Sequence, residues 1–477
     1  MIVIFLSILV KIYYLVNVFQ KSFYEYNFIF KIPIKKYSIL FFTVPFVLLT
    51  SFFESHFLYL PLILIVVLQI FFILKRIKVH LIFTKRVFRL LFTFFLIVFV
   101  LAIFIPFWII DASVPIILII SDVINKPIEY LIKNKYIIKA KRKISNINAL
   151  GIAVTGSYGK TSTKHYLANV LKNKYLVKYS CKSYNTPLGL SKFINENNFD
   201  FVDFLIYEFG ARRKGDIYEL ARIFPYDIAV VTGIGYMHID TFKTIDTIIE
   251  EKMSLCNYIK DSGFVILNYE NEYIRNFPVQ KKKYTYGIEY GEYRAKNITM
   301  SIFGSSFDLY KEENFIRRFN IKPLGRGAIL NTLPCIILCD LFEVDYKYID
   351  KILPVENRLS LRIVDNYYIL DDAYNSNLLG AKYALEVLKS HDGMRFLITP
   401  GFVEMNIIKE DLAKEYAEII NDSCDYVILV KNNFTELLSR YVKVEYVFVE
   451  TFKKGFELFS EIKEDNSILL IENDLYD

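Results

Sequence analysis

The run Gly151-Ile-Ala-Val-Thr-Gly-Ser-Tyr-Gly-Lys-Thr-Ser-Thr-Lys164 concentrates residues able to do chemistry. An apolar stretch leads into Gly156-Ser157-Tyr158-Gly159, and Lys160, Thr161 and Ser162 follow at once. Glycines let successive backbone N–H groups turn inward onto phosphate oxygens, and a helix opening at Lys160 adds the partial positive charge of its N-terminus. Lys160 is then placed to meet the β- and γ-phosphates, and the Thr161 hydroxyl to hold magnesium. The usual eight-residue pattern has Gly at position 154, where this chain has Val. The Gly-Lys-Thr set at a strand–helix junction still reads as a nucleotide phosphate loop.

Other candidate groups follow. Tyr207-Glu208-Phe209-Gly210-Ala211 sits at the end of an apolar run. A carboxylate at the carboxyl end of a parallel strand points into the ligand crevice of an open α/β sheet. His238 closes the run that begins at Asp227, after a Gly-rich turn, and lies 14 residues before Lys252. Taken alone, a single His is more often structural, Lys252 is one more lysine on a helix, and Asn185-Thr186-Pro187 is an ordinary turn. Cys335 and Cys339 stand four apart in an apolar helical pattern and read as packing.

The elements that must position these groups alternate. Strands are predicted at 150–155, 203–208, 228–232 and 263–268, with helices at 161–172, 216–224 and 244–260. That order argues a parallel sheet with helices on both faces. A second alternation begins near 361, with strands near 363–371, 395–399, 425–430, 445–449 and 467–471. Pro354 and the polar residues after it make a hinge. The fold expected is an α-helical transmembrane bundle followed by two α/β domains, a P-loop-type ATPase domain and a Rossmann-like C-terminal domain. The divisions fall at 1–137, 138–355 and 356–477.

The first part is different in kind. Apolar stretches near 1–20, 38–53, 56–74, 88–106 and 107–124 approach the ~20 residues that a membrane span needs. The second is short and the fifth contains Asp111 and Pro115, so the count is four or five. Residues 75–89 hold six Lys or Arg and no acid, which places that loop in the cytoplasm. The spans have few buried charges, and Lys11 and Asp111 are the candidates. With so few, the bundle reads as an anchor rather than a transport path.

Composition excludes several classes. The chain has 477 residues, of which 54% are hydrophobic, so general disorder is ruled out. Five Cys, all beyond residue 180 and odd in number, do not make a disulfide scaffold. A net charge of +7 is partly explained by Lys and Arg flanking the spans, so nucleic acid is not implied.

The variant Thr-Gly-Ser-x-Gly-Lys-Thr-Ser-Thr-Lys resembles the Mur ligases, ATP-dependent amide ligases of peptidoglycan precursor synthesis related to folylpolyglutamate synthase. The resemblance runs through about 138–477 and leaves out the membrane part. It implies that Glu208 binds magnesium, that His238 assists a second magnesium, and that Lys252 is carbamylated to an anionic magnesium ligand. It places Asn185 and Thr186 in a substrate-side loop, Asn331 on the helix beside the adenine, and Arg358 as a phosphate clamp at the hinge. The family often has His-Asn where this chain has Gly327-Ala328. The stretch Leu370-Asp371-Asp372-Ala373-Tyr374-Asn375-Ser376-Asn377 resembles the signature of the D-alanyl-D-alanine-adding branch. There an Asp takes the ribose hydroxyls, and Tyr374 and Asn375 face the nucleotide.

The activity so implied adds D-alanyl-D-alanine to a UDP-N-acetylmuramoyl tripeptide through an acyl phosphate, with ATP and two Mg2+. The implied partners are that precursor, the dipeptide, the bilayer and neighbouring wall-precursor enzymes. The implied place is the cytoplasmic membrane, with the catalytic domains in the cytoplasm. Two departures stand out. The membrane bundle takes the place of the family's UDP-binding domain. Thr399-Pro-Gly-Phe-Val-Glu-Met405 stands where the branch commonly has Gly-Asp-Met-x-Glu-Leu-Gly. Two alternatives stay open: a ligase of another polymer such as poly-γ-glutamate, and a P-loop ATPase or inactive scaffold.

Overall fold

A computed structural model describes residues 2–22, 24, 26, 59–76, 80–180, 184–373, 377–402 and 410–472. The span expected at 38–53, and Tyr374 and Asn375, lie outside the described residues. The chain divides into two compact units, Met1–Lys135 and Tyr136–Asp477.

The first unit is helical. Its helices are Ile2–Lys21, Tyr59–Arg76, Lys85–Phe104 and Phe107–Ala112, and Val114–Ile144 begins in it. Val3–Lys21 and Lys85–Phe104 are long and apolar enough to cross a membrane. The stretch expected as one span at 107–124 is instead broken at Ser113. Pro106 accounts for the break before it: Ile105 ahead of it is extended, as the ring of a following proline requires. Pro115 sits in the first turn of Val114–Ile144, where its missing N–H costs nothing.

Ile8, Leu15, Val87, Phe94 and Val114 are among the residues that form the core of this unit. Within it Lys11 Nζ meets Asp111 Oδ2 at 2.5 Å, with both side chains at most 1% exposed. These two candidate span charges therefore face each other, as burial demands. Asn17, Gln69, Asp122 and Asn125 are buried too, so the interior is more polar than the sequence suggested.

The second unit holds two sheets. The first has nine strands in the order β2-β3-β1-β4-β5-β6-β7-β8-β9. They are β1 Leu150–Thr155, β2 Val177–Tyr179, β3 Phe204–Glu208, β4 Ile228–Val231, β5 Phe264–Asn268, β6 Lys283–Gly287, β7 Tyr293–Ser301, β8 Gly304–Lys311 and β9 Asn314–Ile321. β1 lies between β3 and β4, parallel to both. Its residues Gly151 to Thr155 are all buried, as an inner parallel strand covered on both faces must be. The sequence pattern predicts no strand between 269 and 321. There β7, β8 and β9 pair antiparallel and extend the sheet, so it is mixed rather than wholly parallel.

The second sheet runs β10-β11-β15-β12-β13-β14. These are β10 Ser360–Val364, β11 Tyr367–Asp372, β12 Arg395–Thr399, β13 Tyr426–Val430, β14 Glu445–Val449 and β15 Ile468–Glu472. The single strand expected at 363–371 is the hairpin β10–β11, turned at Asp365-Asn366. The other neighbours are parallel. The helix Gly325–Phe342 also has the length and apolarity of a span, but it is 67% buried. It packs on the first sheet through Ile329, Leu333, Ile336 and Ile337 and is a core helix. Its Cys335 and Cys339 are free and buried, which is packing.

Candidate functional site

The carboxyl end of β1 becomes the phosphate loop because its glycines permit a backbone that other residues resist. Gly159 has φ +81°, and a Cβ there would lie 2.5 Å from Asn331 Oδ1. The helix Lys160–Leu171 starts directly after it with no side-chain cap, so its first N–H groups stay available at the loop. Thr232, just past β4, locks the loop from behind: its hydroxyl donates to Thr155 O at 3.1 Å and also to Tyr158 O.

A cleft of about 310 Å³ opens on this loop. It is lined by Ser157, Gly159, Lys160, Thr161 and Ser162, and by Asn185, Glu208, His238, Asn331, Arg358 and Asp372. Eleven residues singled out in the sequence thus share one cleft. Gly156 supplies its carbonyl to Lys160 and Lys252 instead. Half-buried Lys160 donates through Nζ to Gly156 O at 2.7 Å and to Ser157 O at 3.0 Å. Lys252 does not line the cleft, yet its buried Nζ reaches the same Gly156 O at 3.2 Å.

Four polar groups meet at the end of β3. Glu208 Oε2 accepts from Thr161 Oγ1 at 3.1 Å and from Lys164 Nζ at 3.0 Å. Its Oε1 accepts from Asn185 Nδ2 at 3.4 Å. Burial favours the neutral acid, but Lys164 and Lys160 outweigh it and hold Glu208 below the usual glutamate range.

Desolvation also depresses the cations. It brings Lys160 down to about 8, with Glu208 opposing and Arg358 adding to the fall. It brings Lys252 down to about 7, helped by Lys160 and opposed by Glu251 and Asp216. His238, in a left-handed conformation at φ +57°, falls to about 4 through burial and the charges of Arg212, Lys252 and Lys160. At neutral pH it is an unprotonated ring with lone-pair capacity.

Some predicted residues lie elsewhere. Thr186 caps the helix Pro187–Glu196 by accepting from Gly189 N at 3.2 Å and does not line the cleft. Asp371 and Asp372 point to opposite faces of β11, as neighbours on a strand must. Asp372 lines the cleft and accepts from Leu359 N at 3.0 Å. Asp371 pairs with Arg362 across the hairpin instead. Asn331 accepts from Thr163 Oγ1 at 3.2 Å, which ties the core helix Gly325–Phe342 to the start of the loop's helix.

Residues the sequence reading missed also line the cleft, among them Thr232, Asn268, Tyr166 and Tyr383. The only signal for Thr232 was its Gly neighbour after a strand. Tyr383 carried none. Its ring occupies the space beside Gly327, where a Cβ would come within 3.1 Å of Cδ2.

The arrangement offers backbone donors and Lys160 for a polyphosphate, and paired hard oxygens, Thr161 and Glu208, for a hard divalent cation. Magnesium takes few protein ligands and completes its shell with phosphate and water, so this donor set fits it. No cluster of three or more His, Cys, Asp or Glu able to hold a metal unaided occurs among the described residues.

Residues 154–339 match the family described as the Mur ligase middle domain. The UDP-N-acetylmuramoyl-tripeptide–D-alanyl-D-alanine ligase of Bacillus subtilis (strain 168) is 28% identical over 300 residues, 60% of this chain and 64% of that protein. The chain thus spans somewhat under two thirds of that relative. The UDP-N-acetylmuramate–L-alanine ligase of Dictyoglomus turgidum is 26% identical over 349 residues, 67% of this chain and 71% of that protein. Among solved structures, the MurF ligase from Thermotoga maritima in complex with ADP superposes with a TM-score of 0.65 at 23% identity, over 72% of this chain and 80% of that one. That likeness shows a shared fold.

Proposed function

We propose that this chain, which carries a Mur ligase middle domain in residues 154–339, is an ATP-dependent amide ligase of peptidoglycan precursor synthesis. The finer reading is the D-alanyl-D-alanine-adding reaction on a UDP-N-acetylmuramoyl tripeptide. The observation that carries the ligase reading is the convergence of Lys160, Thr161, Glu208, His238, Arg358 and Asp372 on one cleft at the phosphate loop. The finer reading is supported by the Bacillus subtilis relative and by the residues 370–377.

The chemistry asks for charge neutralisation and alignment. The acceptor carboxylate attacks the γ-phosphorus, the bond to the bridging oxygen breaks, and ADP leaves. The incoming amine then attacks the acyl carbon, inorganic phosphate leaves, and the amine gives up a proton. Backbone N–H groups of the loop and Lys160 hold the phosphates. Arg358 and Asp372 line the same cleft, where Arg358 would act as a phosphate clamp and Asp372 would take the ribose hydroxyls. Thr161 and Glu208 would hold magnesium, which when bound supplies positive charge for the transferring phosphoryl group. Lys252, as a carbamate, and His238 would serve a second ion.

The apolar helices Val3–Lys21 and Lys85–Phe104 support placing the chain in a membrane, with its catalytic unit on the cytoplasmic side. A second reading, addition of a different amino acid, is favoured by the similar extent of the match to the L-alanine ligase.

The test is full-length protein in detergent with ATP, magnesium, UDP-N-acetylmuramoyl tripeptide and D-alanyl-D-alanine. One ADP per dipeptide-extended product, read by mass spectrometry, is expected. Product with L-alanine on UDP-N-acetylmuramate would favour the second reading. ATP turnover indifferent to any acceptor would remove the ligase assignment.

A further inference from the structure

Glu208 is 2% exposed, and its partner Lys164 is 0% exposed, with 3.0 Å between Nζ and Oε2. Lys164 stands one helical turn beyond Lys160, on the same face of Lys160–Leu171. It does not line the cleft. Lys160 and Arg358 line the cleft, whereas Lys164 is fully buried beside the carboxylate. It does not read the substrate.

Its effect is on any cation that approaches Glu208. A divalent ion at the Thr161 and Glu208 oxygens meets the Lys164 ammonium on the same carboxylate, with Lys160 nearby. Like charges at such range repel strongly in a site screened from water. Lys164 and Thr161 together also commit Oε2, leaving Oε1 with one long contact from Asn185 at 3.4 Å. A polyphosphate changes the balance, because it brings its own negative charge to the loop.

We propose that Lys164 is a positioning residue that bars free divalent cations from the Thr161–Glu208 oxygens, so that the metal enters only together with a nucleotide polyphosphate. This rests on the reading of Thr161 and Glu208 as metal-holding groups. In that role Lys164 fixes the direction from which Glu208 offers its lone pairs and sets the order of binding.

The test is Mn2+ binding to the full-length protein in detergent, followed by electron paramagnetic resonance with and without ADP. Wild-type protein should bind Mn2+ weakly alone and much more tightly with ADP. Lys164→Met should raise the affinity for Mn2+ alone by about tenfold or more, as removal of one close charge predicts. Lys164→Gln should act likewise and stands in for the Met variant where that one does not fold. Lys164→Arg, which keeps the charge, should behave as wild type. Lys164→Met combined with Glu208→Gln should lose the gain. A folded Met or Gln variant with unchanged or weaker affinity for the ion alone overturns the proposal, as does an equal gain in the Arg variant. If wild-type protein binds no Mn2+ even with ADP, the metal reading of Thr161 and Glu208 fails as well, which separates the two failures.

Discussion

Lys160 and Lys252 donate to one and the same acceptor, the Gly156 carbonyl, at 2.7 and 3.2 Å. Two ammonium groups on one oxygen repel, and burial decides which yields. Lys252, the more deeply buried, falls to about 7, while Lys160 falls to about 8. A neutral amine is the form that captures carbon dioxide, so the carbamate proposed for Lys252 would form close to neutral pH.

The first prediction concerns that amine. Protein equilibrated with 13C-bicarbonate should show a carbamate signal above pH 7 that fades by pH 6, and Lys252→Ala should lack it. Stability follows the same proton. Between about 7 and 10.5 the unfolded lysine keeps a proton that the folded one has lost, so stability rises with pH across that window. Below it both states are charged and the cost of the buried ammonium is fully present. Lys252→Met should remove this slope in unfolding measured without bicarbonate. An unmodified lysine at pH 8 under saturating bicarbonate would count against the carbamate.

Lys160→Ala should lower ATP turnover by roughly two orders of magnitude or more, the scale seen when one charge-stabilising donor is removed. The variant should still sediment with membranes, because Lys160 lies outside the helical unit Met1–Lys135. Near-normal ADP release would dismiss the phosphate-loop role.

The paired aspartates should behave differently. Asp372→Asn should weaken nucleotide binding, since Asp372 lines the cleft. Asp371→Asn should leave nucleotide affinity nearly unchanged and act on stability, because its partner is Arg362. Calorimetric titration with ADP on both variants decides; equal losses would mean that the strand's alternation does not separate their roles.

Gly159→Ala combines a left-handed backbone with a Cβ 2.5 Å from Asn331 Oδ1. A loss of ~1–3 kcal/mol is expected for forcing such a conformation. Nucleotide affinity should fall with it. Adding Asn331→Ala should return part of the stability by clearing the clash, which a thermal unfolding series would show.

Glu472 ends β15 with 0% exposure, and its Oε2 accepts from the Tyr416 hydroxyl. Its Oε1 has no hydrogen-bond partner among the described residues. Burial, with Asp372 adding, raises its pKa to about 8 against the Tyr416 bond. From about 4.5 to 8 the folded state holds a proton that the unfolded state releases, so stability falls as pH rises through that range. Glu472→Gln should flatten that fall and gain most near pH 8. A variant that loses stability at pH 8 would show that the ionised carboxylate is the native form.

Local events were legible from the order of the residues alone. The strand Leu150–Thr155, the glycine turn and the helix opening at Lys160 follow from composition within some twenty residues, because turn geometry and helix starts are decided locally. The apolar periodicity likewise marked β3, β4, β5 and most of the second sheet. Its limit was distance along the chain. Nothing local indicates that β7 to β9 fold back as antiparallel strands onto the edge of a parallel sheet, since pairing there is set by which edge is free. Register decided that Asp372 faces the cleft while Asp371 turns to Arg362. Packing decided that Lys11 finds Asp111 across 100 residues, and that Lys164 finds Glu208 across 44. A buried charge must have a partner, but only the tertiary structure chooses which one, because that choice depends on side chains brought together by helices and strands far apart in sequence.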